Sequence, residues 1–121
     1  MLHVLDKQNS LLGNFVKEIR SVDIQNDPMR FRRNIERIAQ VMCYEISKSL
    51  NFKTEEVKTP LGIAPTNVVA DKIVVASILR AGLAMHNGVL DFFDGAENCF
   101  VSAYRKYTDE SHFDIHVEYI A

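Results

Sequence analysis

The chain has 121 residues, 47% of them hydrophobic and 25% charged, a balance that excludes a disordered tail, a collagen-like repeat and a disulfide scaffold. The length suits one domain, residues 1–121, and not two. Against 16 Asp and Glu stand 14 Lys and Arg, for a formal net charge of -2, so no nucleic-acid partner is expected, because phosphate neutralisation needs a basic surplus; a local cluster of Arg around one small anion stays open.

In chain order, Leu11, Leu12, Phe15, Val16 and Ile19 fall at helical spacing and predict a short first helix. Residues 21–26 are a polar connection. Asp27-Pro28 opens a longer helix, Asp suiting the N-cap and Pro the first helical position. Phe31, Ile35, Ile38, Met42, Ile46 and Leu50 then step by three and four and predict one buried stripe, with Asn51 as its end. Arg30, Arg33 and Arg37 share another face, either solvated or a contact for an anion, an effector or a second subunit. Residues 55–71 hold all three Pro-Gly breakers of this region, Pro60, Gly62 and Pro65, and suggest short strands at 57–59 and 67–69 in a projecting hairpin.

Residues 72–79 form a continuous β-branched run, expected to be a strand buried on both faces. Leu83, Met85, Val89, Leu90 and Phe93 predict a helix over 82–93, ended by Asp94-Gly95. Another strand follows at 100–104. Strand, helix, strand at this spacing is a βαβ unit with parallel strands. Residues 108–111 are a polar turn, and 112–120 alternate apolar and polar as a half-exposed strand does.

The longest apolar run, 73–79, is far short of the ~20 residues that a membrane helix needs. Met1-Leu2-His3-Val4-Leu5-Asp6-Lys7 lacks the basic start of a secretory signal. Cys43 and Cys99, with no CxxC, read as reduced, buried thiols. No membrane partner is expected, and the expected compartment is the cytoplasm.

The chemistry concentrates on two arginines. Arg80 follows the carboxyl end of the 72–79 strand, and small residues, Ala81-Gly82, open the next helix. Arg105 stands at the carboxyl end of the following strand. Ligands of open α/β sheets bind outside the carboxyl ends of the strands, so the parallel arrangement puts both guanidinium groups on one edge. A helix N-terminus beside Arg80 adds amide donors. Together these suit a multiply charged oxyanion such as phosphate or pyrophosphate. The competing reading is two surface arginines answering nearby carboxylates.

Ile78-Leu79-Arg80-Ala81-Gly82-Leu83, Met85, Gly88-Val89-Leu90 and Tyr104-Arg105 resemble the uracil phosphoribosyltransferase family of type I phosphoribosyltransferases. Phe31-Arg32, Tyr44-Glu45 and Thr59-Pro60-Leu61-Gly62 stand upstream in that family's order, so the resemblance runs from about Leu11 onward. It implies an α/β fold: a parallel-sheet core with N-terminal helices and a projecting β-hairpin, incomplete at the C-terminus. It also implies a transferase that joins uracil to 5-phosphoribosyl 1-pyrophosphate (PRPP), with Mg²⁺ on the PRPP, giving UMP and pyrophosphate in pyrimidine salvage. Arg80, Ala81, Gly82 and Arg105 are then the pyrophosphate site, and Arg80 and Arg105 the catalytic cations, stabilising charge on the leaving group as the C–O bond breaks. The resemblance further implies a non-proline cis peptide around Leu79-Arg80, a homodimer or higher oligomer with the 55–71 hairpin as a contact, and GTP as an effector in some members. No protein ligand to a metal is expected.

The sequence also departs from the family. Ala84 replaces a second Gly, and Lys106-Tyr107-Thr108 precede Asp109-Glu110 where the family has an acidic run. The family's PRPP loop, Asp-Pro-Met-Leu-Ala-Thr-Gly-Gly, and its Gly-Asp-rich uracil-reading segment have no counterpart here. The chain is therefore expected to be the N-terminal portion of such a domain, supplying the pyrophosphate half of the site and inactive by itself. The alternative is a noncatalytic phosphate- or pyrophosphate-binding or regulatory module of the same descent. A uridine kinase fused to such a domain lacks support, since no Walker A string occurs. His112 and His116 have metal-like spacing but lie in an alternating strand with Asp114, which favours a solvated polar face. His86 is expected at the surface.

Overall fold

The computed structural model describes residues 2–107 and 112–120; the polar turn expected at 108–111 lies outside them. The Asp27 side chain accepts a hydrogen bond from the Arg30 amide at 3.0 Å, and Pro28 occupies the first turn. That N-cap starts α2 (Pro28–Ser47), as the sequence predicts. Before it come a 3-10 turn at Leu5–Lys7, which the apolar pattern did not signal, and α1 (Leu12–Arg20). The helix of α2 proper stops at Ser47, four residues before Asn51.

The buried face of α2 differs from the expected stripe. Phe31, Met42 and Ile46 are exposed, and the buried residues are Asn34, Ala39 and Cys43. The cause lies in α3 (Leu83–Phe92), which packs on α2 through Gly88. A Cβ on Gly88 would meet the Glu36 carbonyl oxygen, and would lie 2.8 Å from the Ala39 Cβ. Small residues on both sides let the two backbones approach, and that contact turns the larger apolar residues of α2 away.

β1 (Phe52–Thr59) and β2 (Gly62–Val69) pair antiparallel, from Phe52 with Val69 to Thr59 with Gly62, as a separate two-stranded sheet. Both strands are longer than the sequence suggested. Pro65 is tolerated because each strand has an open edge. The turn is Pro60-Leu61, followed by Gly62 at φ 134°, a value that favours glycine. Asp71 clamps the base of the hairpin, accepting from the Asn51 amide at 2.7 Å and its Nδ2 at 3.0 Å.

β3 (Val74–Leu79) pairs parallel with β4 (Glu97–Tyr107), and β4 pairs antiparallel with β5 (Phe113–Ile120). With α3 between β3 and β4, this is the expected βαβ unit. β3 is not covered on both faces within the described residues. Val75 is buried against the α3 side, while Val74 and Ile78 are exposed on the other. In β5 the alternation slips near Glu118, because Ala103 pairs with Val117 but Ser102 with Tyr119.

Candidate active site

β3 ends at Leu79, and the Leu79–Arg80 peptide is cis, as the motif implied. The chain reverses within three residues. Gly82 N–H donates to the Ile78 carbonyl at 3.0 Å, Leu83 N–H to the Arg80 carbonyl at 3.2 Å, and His86 N–H to the Gly82 carbonyl at 2.9 Å. The amides of Gly82 and Leu83 thus serve the loop itself, so they are not the open donors anticipated at this helix start. Gly82 has a steric reason to be glycine: a Cβ there would lie 2.9 Å from the Ile78 carbonyl oxygen and 3.3 Å from the Ser77 Cβ.

Arg80 is exposed at the top of this loop, and its guanidinium has no hydrogen-bond or ion-pair partner among the described residues. For Arg80, the reading as a surface residue answering a carboxylate therefore has no carboxylate to point to. Leu79 pairs with Ser102, and β4 runs on past that point to Tyr107. Arg105 sits on this extension, three residues beyond Ser102, or roughly 10 Å along the strand. It is exposed and is paired in register with Ile115 of β5. The parallel pairing thus brings both arginines to the carboxyl end of the β3–β4 pair. Arg105 makes interactions within the fold.

The neighbouring Tyr104 faces Glu118 and the His116 ring, whose centroid is 5.6 Å away. A hydrogen bond to Glu118, followed by desolvation and the carboxylate charge, raises the Tyr104 phenol above its ordinary value. Ala84 lies half-buried in the first turn of α3. Among the described residues no three His, Cys, Asp or Glu side chains gather as metal ligands. The donors at the arginine edge are guanidinium groups, which do not ligate cations.

His86 corrects the expectation of a surface residue. It is 3% exposed. Its Nδ1 lies 2.8 Å from Ser77 Oγ on β3, and its Nε2 lies 2.7 Å from Asn98 Oδ1 on β4. A lone His in the sequence carries no sign of this, because both partners lie on other elements. Cys43 is buried and Cys99 half-buried, both as free thiols; burial pushes the Cys43 thiol up. The arginines of α2 are largely answered within the fold. Arg30 pairs with Glu18 at 3.3 Å, Arg33 with Glu36 at 2.7 Å, and Arg37 donates to Asn34 and covers the Phe15 ring. A cleft of about 400 Å³, bordered by Lys72, Phe92, Asp94 and Glu97, opens at the opposite end of β3 and β4. No helix among the described residues is long and apolar enough to cross a membrane.

The βαβ unit and its parallel strand pair make this an α/β protein, and both arginines lie at the carboxyl strand ends, where open α/β sheets bind their ligands. A family model described as uracil phosphoribosyltransferase matches residues 7–118, and the chain belongs to that family. A uracil phosphoribosyltransferase of Porphyromonas gingivalis strain W83 is 59% identical over 117 residues, covering 97% of this chain and 54% of its own length. One from Methanothermobacter thermautotrophicus is 38% identical over 122 residues, covering 99% and 54%. The AQ2163 protein of Aquifex aeolicus has a similar fold, with a TM-score of 0.77 and 25% identity over 93% of this chain and 52% of that one. The chain thus spans about half the length of the curated relatives it matches.

Proposed function

We propose that residues 1–121 form one domain portion that handles the pyrophosphate of PRPP in a uracil phosphoribosyltransferase reaction. In that reaction a uracil ring nitrogen replaces pyrophosphate at the anomeric carbon, giving UMP. The observation that carries this reading is the placement of Arg80 and Arg105 at the carboxyl end of one parallel strand pair, in a chain of this family. Arg80, Ala81, Gly82 and Arg105 form the pyrophosphate subsite. As the C–O bond lengthens, negative charge builds on the leaving group. Two cations at the same sheet edge stabilise that charge. Mg²⁺ enters as part of the Mg–PRPP substrate, since the donors at this edge are cations. The β1–β2 hairpin is the proposed arm of a homodimer or larger assembly, the α2 arginine face the proposed place for any GTP effect, and the cytoplasm the proposed compartment.

The test is calorimetric titration of the chain with Mg–pyrophosphate, beside an assay of UMP formation from uracil and PRPP. Replacing Arg80 or Arg105 with Ala removes a charge-assisted hydrogen bond and should weaken binding about tenfold to a hundredfold. Unchanged affinity in Arg80→Ala would sink the assignment of that residue. Turnover by the chain itself would exclude the noncatalytic pyrophosphate-binding module.

A further inference from the structure

Among the described residues His86 is the most deeply buried titratable side chain of the βαβ unit, and the reaction proposed above does not use it. Its two ring nitrogens are both satisfied, by Ser77 at 2.8 Å and by Asn98 at 2.7 Å. The direction of these bonds follows from their chemistry. An amide oxygen only accepts, so Nε2 carries the hydrogen and donates it to Asn98 Oδ1. In the neutral imidazole Nδ1 then keeps its lone pair, and the Ser77 hydroxyl donates to it. The result is one directed relay, Ser77 to His86 to Asn98, with each group in a single role.

The relay's position gives it a task. Ser77 lies on β3 three residues before Arg80, His86 on α3 six residues after it, and Asn98 on β4, the strand that carries Arg105. The loop that presents Arg80 is thus spanned by the relay from its incoming strand to its outgoing helix. The His86 amide also closes the loop from inside, on the Gly82 carbonyl at 2.9 Å. The ring packs against Phe100 of β4, with centroids 4.7 Å apart. Apolar packing at this point would let α3 slide or rotate over the strands. Hydrogen bonds from the buried His86 ring to Ser77 on one strand and to the solvent-facing Asn98 on the next tie the helix to both strands at defined points.

We propose that His86, held in its Nε2–H form by Ser77 and Asn98, is a positioning residue that sets the Arg80 loop against the Arg105 strand. This rests on the assignment of the two arginines to pyrophosphate. Three readouts on the full chain separate the two claims. The first is the ¹⁵N spectrum of the His86 imidazole, which should show a protonated Nε2 and a bare Nδ1. Asn98→Ala, which removes the acceptor, should change that pattern. The second is amide hydrogen exchange at Gly82 and Leu83. Ser77→Ala, which keeps the Cβ and loses only the donor, should speed exchange there roughly fivefold, the weight of one hydrogen bond, and leave the β1–β2 amides unchanged. The third is Mg–pyrophosphate affinity, which should fall by a similar factor in Ser77→Ala.

If the chain with its native residues does not bind Mg–pyrophosphate, the arginine assignment fails, while the spectrum and the exchange rates still decide the role of His86. If it binds, and Ser77→Ala and Asn98→Ala leave affinity and loop exchange at the native level, the positioning role is overturned and the arginine assignment stands. A bare Nε2 in the native chain would also overturn it.

Discussion

Gly88 sets how closely α3 approaches α2. With the Glu36 carbonyl and the Ala39 Cβ lying where its side chain would be, Gly88→Ala forces backbone to move against backbone. A cost of about 1–3 kcal/mol is expected, measurable as a lower urea midpoint with an unchanged slope. Glu18 is a second residue with a task invisible in the sequence. It accepts from the fully buried Asn34 at 2.6 Å and pairs with Arg30 at 3.3 Å. The hydrogen bond from Asn34, with those from Arg30 and the charges of Arg30 and Arg37, holds its carboxyl below the ordinary value against a smaller desolvation effect. A carboxyl depressed in the fold stabilises above its unfolded value, and that contribution is lost as pH falls through the folded one. Acid titration of stability should therefore be shallower in Glu18→Gln than in the native chain over the acid range. Equal slopes would assign the acid sensitivity to other carboxylates.

At the scale of elements, the hairpin and α2 show where local rules suffice. The start of α2 was legible because Asp27, Pro28 and the Arg30 amide are sequence neighbours. The βαβ order was legible for a similar reason, since strand, helix and strand follow one another with their turn signals between them. The stripe of α2 was not, because helical periodicity marks which residues are apolar and not which face meets a partner. The hairpin's own pattern marks only short strands, and its cross-strand pairing extends it to Phe52 and Val69. Its base depends on Asp71, whose carboxyl is held low by the side-chain and backbone hydrogen bonds from Asn51. Asp71→Ala should release that clamp. Faster hydrogen exchange at Ala70, which donates to the Asn51 carbonyl at 2.8 Å, is the expected sign, with the Arg80 loop unaffected.

At the scale of the molecule, charge and exposure decide solution behaviour. An anion site built on two cations loses affinity as salt screens it, so Mg–pyrophosphate binding should weaken steadily from low to physiological ionic strength. A flat salt dependence would argue for a binding mode not led by charge. The open face of the β3–β4–β5 sheet exposes Val74, Ile78, Ile115 and Val117 at 51–71%. Apolar area of this kind drives association. Light scattering on the chain should show species larger than a monomer, shifting towards monomer when Ile115 is replaced by Lys.

The sequence by itself determined the helix cap, the order of the βαβ unit and the placement of Arg80 and Arg105 at one strand edge, because each depends on residues adjacent in the chain or on the rule that parallel strands end on one edge. The ILRAGL and Tyr-Arg strings named the family for the same reason, being local. Only the tertiary structure decided that α2 buries Asn34, Ala39 and Cys43, that Glu18 answers Arg30, and that His86 joins Ser77 to Asn98. Those facts rest on contacts between residues up to 52 positions apart, as with Glu36 and Gly88. Close approach of backbones and the partnering of buried polar groups are properties of packing, and no period along the chain encodes them.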